Sequence, residues 1–167
     1  MNDDIHIESL QRAHAVDQFE CGQPDLDRFL VRFAFQAQQA NASRTYVALN
    51  NETVIGYYTL VVGHVLHEQA PERLSKGLAR HPIPLVVLER LAVHRDWQGR
   101  GIGAGLLRAA MERTLQIAEI AGVRALAVNA KDDAAVSFYA RYGFMPSPID
   151  PLHLYLLLKD VQRILRK

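Results

Sequence analysis

Cysteine is nearly absent: Cys21 is the only one in 167 residues. A lone thiol excludes an internal disulfide framework and any zinc site built on paired cysteines. Beside the turn-forming Gly22, it reads as a small buried side chain. The seven histidines show no ligand-type spacing, so no metal site is expected. No run of about eighteen apolar residues occurs, which excludes a membrane-spanning helix. The opening Met1-Asn2-Asp3-Asp4 carries neither the basic nor the apolar part of a secretion signal. These absences predict a cytoplasmic protein with no membrane association. A strong charge of one sign is missing too, because 19 Lys and Arg against 18 Asp and Glu leave a formal +1. A phosphate-rich partner would then have to be met by local clusters of cations. Two such clusters exist. Arg73, Lys76 and Arg80 stand in a stretch, 73 to 88, without a single acid, and Lys159, Arg163, Arg166 and Lys167 face only Asp160. Each reads equally well as a solvated face.

The chain is long enough for one sizeable core and short for two ordinary domains, so residues 1–167 read as a single domain. With 49% hydrophobic and 22% charged residues, the composition is that of a folded globular protein. The most informative stretch is Arg90 to Leu107, R-L-A-V-H-R-D-W-Q-G-R-G-I-G-A-G-L-L. An apolar, β-branched run from Pro84 to Val93 leads in and an amphipathic run from Ile102 to Ile120 leads out, which spells strand, glycine turn, helix. Gly99, Gly101, Gly103 and Gly105 let the backbone approach a ligand without Cβ atoms in the way. At a helix start the first N–H groups lack intrahelical acceptors and the dipole adds positive charge, so the expected guest is an anion such as a pyrophosphate. A P-loop would need Gly-Lys followed by Ser or Thr, and both the lysine and the hydroxyl are missing. The dinucleotide fingerprint also fails, because its third small position falls on Leu106.

What fits is Gln-x-x-Gly-x-Gly, from Gln98 through Gly101 to Gly103, which resembles the acetyl-CoA pyrophosphate turn of the GNAT acyltransferases. A second motif lies about forty residues on: Ser137-Phe138-Tyr139-Ala140-Arg141-Tyr142-Gly143-Phe144 resembles the F-Y-x-x-x-G-F signature that closes the cofactor site in that family. The resemblance extends to one branch, the TacT-like toxins, through Phe19-Glu20-Cys21-Gly22 followed by Leu26-Asp27 and Phe29-Leu30. Gly56 to Leu60, Pro82 to Pro84, Arg90 to Val93 and Val128 to Lys131 follow the same branch, so nearly the whole chain is covered.

The resemblance implies an α/β (α+β) GNAT fold, a central mixed, mostly antiparallel sheet splayed at the acetyl-CoA site with helices on both faces. It implies acetyl transfer from acetyl-CoA to the α-amino group of aminoacyl-tRNA, by a toxin held inactive by a ribbon-helix-helix antitoxin, in a homodimer. Leu91 and Val93 would hold the pantetheine arm through their backbone. The amides of Gln98, Gly99, Arg100, Gly101, Gly103 and Ala104 would take the pyrophosphate, with Phe138 closing the site. Tyr139 is the candidate general acid, because a phenol of pKa near ~10 keeps its proton at neutral pH and can give it to a departing thiolate. Tyr142 reads as a packing aromatic. Glu89, where the toxins usually carry a small residue, is the candidate base; pairing with Arg90 or Arg124 is the structural alternative. His94 stands where the family usually has Asp and reads as a surface residue at the loop entrance.

A catalytic Glu89 would favour a different acceptor, a small-molecule or protein amine with no toxin role. A third possibility, an acetyl-CoA-binding regulatory module without turnover, has no use for Tyr139 or Glu89.

The remaining periodicity predicts a strand at Ile5 to Ile7 and a helix from Asp25 with Leu26, Phe29, Leu30, Phe33, Ala34 and Ala37 on one face. Pro24 would lie in its first turn and Asn41 at its end. A hairpin of Thr45 to Leu49 with Thr53 to Val62 comes next, Gly56 marking a bulge. Residues 67 to 84 form a long loop with a short helix at Glu72 to Ala79, expected by resemblance to contact substrate or antitoxin, with a plain surface loop as the alternative. Then come the strand Leu85 to Val93, the helix from Ile102 capped by Gly122, and the strand Arg124 to Ala130. A helix Asp133 to Tyr142, a strand His153 to Leu158 and a terminal helix Asp160 to Lys167 complete the chain.

Overall fold

A computed structural model describes residues 4–167; Met1 to Asp3, part of the stretch read for a secretion signal, lie outside the described residues. The chain opens with β1 (Ile5–Ser9) and α1 (Pro24–Arg28), which passes through a π-helical turn (Phe29–Phe33) into α2 (Ala34–Gln39). The hairpin β2 (Arg44–Asn50) and β3 (Thr53–Val65) is next, then α3 (Glu72–Ser75), β4 (Ile83–Val93) and α4 (Ile102–Ala118). The last part is β5 (Ala125–Asn129), α5 (Asp133–Ala140), β6 (Met145–Pro146), β7 (His153–Leu157) and α6 (Leu158–Leu165). The strands are ordered β1-β2-β3-β4-β5-β7-β6. Antiparallel ladders join β1 to β2, β2 to β3, β5 to β7 and β6 to β7, and a parallel one joins β4 to β5. The parallel ladder runs from Leu85 opposite Ala125 to Leu88 opposite Val128, while β4 itself continues to Val93. The expected mixed, mostly antiparallel sheet with helices is present.

The chain forms two compact units, Met1–Val61 with Glu89–Ala110, and Val62–Leu88 with Met111–Lys167. In the first unit, α1 and α2 lay Leu26, Phe29, Leu30 and Ala34 against Val47, Val54 and Tyr57 of the hairpin. The fully buried Tyr57 stacks on Phe29, meets Phe19 edge-on, and gives its hydroxyl proton to the Leu26 carbonyl at 2.7 Å. Burial outweighs the opposing charge of Arg90 and pushes its phenol well above the ordinary tyrosine value. The expected bulge is found: Ala48 pairs with Gly56 and Leu49 with Val54, which leaves Ile55 as the extra residue. Gly56 is needed there for space, since a Cβ would stand 3.0 Å from Leu106 Cδ1 and 3.1 Å from the Ala92 carbonyl.

In the second unit, Leu85, Ala125, Ala127, Tyr155 and Leu157 form one core with Val65, Ala70 and Leu74 from the β3 end and the loop beyond it. The other face of these strands is buried as well, and Leu156 there lies against the Gly143 turn that ends α5. Asp132 caps α5 by accepting the Ala135 amide at 2.9 Å.

Three expectations are corrected. The three-and-four spacing placed Phe33 on the buried face of the first helix, but Phe33 is 51% exposed. The π turn holds an extra residue per turn and rotates the residues after it, so Ala34 is buried and Phe35 is packed against the core in its place. The loop helix is shorter than Glu72 to Ala79 and stops at Ser75, because Gly77 takes a φ of 80°. Gly122 caps nothing: α4 ends at Ala118, Ile120 and Ala121 close back on the Ile117 carbonyl, and Gly122 lacks a positive φ. The short β6 was not foreseen, since two residues carry no periodicity.

Candidate functional site

The turn before α4 has the geometry its glycines predict. Gly99 and Gly101 take φ values of 78° and 83°, and a Cβ on either would meet nothing within 4 Å, so the surface there is open. The first helical hydrogen bond runs from the Gly105 amide to the Gly101 carbonyl at 3.1 Å. The amides of Ile102, Gly103 and Ala104 therefore precede the intrahelical ladder and carry the positive end of a seventeen-residue helix. Arg100 is exposed, with its guanidinium 4.7 Å above the Trp97 ring. The chemical capacity of this turn is to bind an anion.

The turn is braced by the opening segment, which the sequence presented as a separate motif. Gln98 gives its side-chain amide protons to the carbonyls of Cys21 (2.8 Å) and Val93 (2.9 Å). Arg95 donates its backbone N–H to Glu20 O at 2.8 Å, and the Cys21 N–H goes to the Asp27 carboxylate at 2.9 Å. Gly22, at a φ of 96°, makes the bend between. The spacing F-x-C-G-x-x-x-L-D thus has a mechanical meaning. Cys21 and Gly22 present one carbonyl to Gln98, Asp27 fixes that segment, and Leu26 accepts from Tyr57. His94 has a role the sequence reading missed: its Nδ1 accepts the Asp96 amide at 3.1 Å, capping the 3-10 turn Arg95–Trp97 as an Asp would. That acceptor role places the ring proton on Nε2.

Leu91 and Val93 are half-buried on β4, and Glu89 is on the same strand. The Glu89 carboxylate is engaged by the Arg90 guanidinium, which sits 3.6 Å over the Phe29 ring. Of the two partners foreseen for Glu89, Arg90 is the one found. Arg124 instead donates to the carbonyls of Leu74 (2.9 Å) and Lys76 (3.1 Å).

In the second unit Tyr139 is 6% exposed, with Phe138 and Phe144 edge-on at 5.1 and 5.4 Å. Burial pushes its phenol well above the usual value, so the hydroxyl stays protonated far into the alkaline range. Phe138 also meets Tyr142 and lies under Arg141 at 5.7 Å, which leaves Tyr142 the packing role expected of it. A cavity of about 610 Å³ opens in this unit, lined by Val65, Val87, Asn129, Asp150, His153 and Tyr155 among others. It combines apolar walls with a few polar groups, the usual composition of a small-ligand site. Among the described residues no three His, Cys, Asp or Glu side chains are grouped to hold a metal ion. No helix of the described residues is long and apolar enough to cross a membrane.

Residues 41–146 match the family model described as an acetyltransferase (GNAT) domain, a span holding the glycine turn and the Phe138-Tyr139 motif. The chain belongs to the GNAT acetyltransferases. Its activity is N-acetyl transfer. This acetyltransferase is 41% identical over 153 residues to a tRNA-acetylating toxin of Mycobacterium tuberculosis (strain ATCC 25618 / H37Rv), covering 92% of each chain. Among solved structures it is similar to AtaT complexed with acetyl-methionyl-tRNAfMet, at a TM-score of 0.89 and 28% identity over 97% of this chain and 99% of that one. It is also similar to a tyrosine-to-phenylalanine mutant of the AtaT toxin bound to the C-terminus of the antitoxin AtaR and acetyl-CoA. That TM-score is 0.84, at 29% identity over 99% of this chain and all of that one.

Proposed function

We propose that this acetyltransferase moves the acetyl group of acetyl-CoA to the α-amino group of an amino acid esterified to tRNA, as the toxin of a toxin–antitoxin pair. The observation that carries the reading is the 41% identity to a tRNA-acetylating toxin over 92% of both chains. The residues fit the donor. Gly99 and Gly101 open a cradle at the start of α4 where the amides of Ile102 to Ala104 can receive a pyrophosphate, and in this reading the backbone of Leu91 and Val93 on β4 holds the pantetheine arm. In this reading Phe138 closes the site. Acetyl-CoA supplies an activated acyl carbon on a thiol leaving group.

In the transfer, the amine nitrogen bonds to the thioester carbonyl carbon, the C–S bond breaks, and the amine loses a proton. Tyr139 gives its phenolic proton to the departing sulfur. Its raised pKa does not disqualify it, because a thiolate formed in the same dry surroundings has its basicity raised by the same desolvation. The ester-linked amine is less basic than a lysine and loses its proton to water, and in this reading Glu89 is the charge partner that holds Arg90 over Phe29. The aminoacyl end enters the cavity lined by Val87, Asn129 and Tyr155. The reading takes residues 1–167 as one catalytic domain. It further expects a homodimer, a ribbon-helix-helix antitoxin and a cytoplasmic site of action.

The test is transfer of radiolabel from acetyl-CoA to a pool of charged tRNA, with uncharged tRNA and Tyr139→Phe as controls. Label is expected on charged tRNA only, and to fall with the hydroxyl. No label on charged tRNA, despite acetyl-CoA binding, would reject the acceptor.

A further inference from the structure

The sequence holds two basic clusters, one in the 67–84 loop and one at the C-terminus, and nothing in their order joins them. The structure joins them. Arg73 of α3 donates to both carboxylate oxygens of Asp160 in α6, Nη1 to Oδ2 at 2.5 Å and Nη2 to Oδ1 at 3.2 Å, and Arg163 one turn on donates to the same group. Asp160 is 8% exposed, and the hydrogen bonds from Arg73 hold its carboxyl below the ordinary carboxylate value. Arg124 ties the same loop from the other side through the Leu74 and Lys76 carbonyls. A cavity of about 630 Å³ results, lined by Arg73, Lys76, Arg124 and Lys159 with Val123, Leu157 and Leu158. Its lining holds four cations and no acid, and Asp160, which anchors Arg73, has both oxygens engaged by Arg73 and Arg163.

We propose that this cavity is a phosphate-binding surface for the backbone of the acceptor RNA. The inference rests on the aminoacyl-tRNA reading above and locates a contact region for that substrate. The molecule is near neutral overall, so a polyanion has to be met by a local excess of positive charge, and the structure builds one here. Exposed Lys76 and Lys159 supply mobile ammonium groups, and the guanidinium planes of Arg73 and Arg124 are fixed by their hydrogen bonds. Asp160 is the positioning residue. An acidic protein segment is the competing occupant, but phosphates recur at short, regular intervals along a strand and suit a row of cations on two elements.

The experiment first establishes acetyl transfer to charged tRNA by the wild-type protein. It then measures tRNA and polyglutamate affinity between about 0.05 and 0.3 M salt for wild type and for Lys76→Gln/Lys159→Gln. Acetyl-CoA affinity and a thermal melt report an intact fold. Two lost phosphate contacts should weaken binding at least ~10-fold near physiological salt and lower the slope of log affinity against log salt by about 1.5 to 2. Unchanged affinity and slope, with transfer intact, would overturn this site and leave the acceptor reading standing. Loss of polyglutamate binding with tRNA binding intact would overturn it in favour of an acidic protein partner. A wild-type protein that neither binds nor acetylates charged tRNA would remove both.

Discussion

Gly56→Ala is the sharpest single perturbation of the scaffold that carries the donor turn. A methyl group there stands 3.0 Å from Leu106 Cδ1, 3.1 Å from the Ala92 carbonyl oxygen and 3.5 Å from Ile102 Cγ2. Ordinary contacts begin near ~3.4 Å, so two neighbours must move by several tenths of an ångström. Neither moves freely, since Leu106 is fully buried in α4 and Ala92 contributes backbone from β4. Overpacking of this kind costs about 1–3 kcal/mol, against which alanine's smaller unfolded-state entropy returns roughly 0.4–1 kcal/mol. The net is a destabilisation of about 1–2 kcal/mol, which lowers Tm by ~2–8 °C for a chain of this size. Because Ala92 and Ile102 flank the glycine turn, the displaced atoms are those that set where the α4 amides point, and acetyl-CoA binding should weaken several-fold. The same change at Gly122 is the control: nothing lies within 4 Å of its Cβ position and its φ is not positive, so Gly122→Ala should be neutral or stabilising. Calorimetric melts and titration with acetyl-CoA read both variants. A Gly56→Ala protein as stable as wild type would refute the close-approach account of this glycine.

Tyr139→Phe keeps the ring contacts with Phe138 and Phe144 and removes the proposed proton donor, so turnover should fall by roughly 10²-fold or more while acetyl-CoA affinity holds. In the proposed mechanism the active form is the protonated phenol, and burial raises its pKa. The rate against pH should therefore show no Tyr139-dependent fall below about pH 10, the ordinary tyrosine value. Glu89→Gln should change turnover by less than ~10-fold at neutral pH, since the carboxylate is held by Arg90; a ~100-fold loss there with acetyl-CoA affinity unchanged would make Glu89 the base after all. Gly101→Val forces a β-branched residue to a φ of 83°, costs about 1–3 kcal/mol in melts, and should raise the acetyl-CoA Kd at least ~10-fold. Asp160 has a depressed pKa in the folded protein, so its contribution to stability is complete above about pH 4 and is lost as the pH falls through that depressed value. Asp160→Asn should lower Tm at neutral pH, with the gap to wild type closing in acid.

How much of this was legible in the sequence depends on the range of the interaction. Local chemistry was plain: the glycine turn, the helix from Asp133, Pro24 at a helix start, and the hairpin with its bulge at Gly56 all stem from residues a few positions apart. The family was legible as well, because its two motifs lie in order along the chain. The wider helical turn at Phe29 to Phe33 was not, because a hydrophobic pattern near the three-and-four spacing does not distinguish one extra residue per turn, and Phe33 was misplaced for that reason. Gly122 misled because a glycine after a helix carries the same signal whether or not it adopts a positive φ.

The sequence by itself determined the order of the longer elements, the glycine turn before α4, the family and the near-neutral charge, since each depends on residue type and short spacing. Only the tertiary structure decided which distant groups meet. Gln98 reaches back to Cys21, Arg90 settles between Glu89 and Phe29, and Asp160 draws Arg73 and Arg163 into one basic surface. These contacts bring together side chains from separate elements, and their free energy depends on distance and burial, which chain order does not encode.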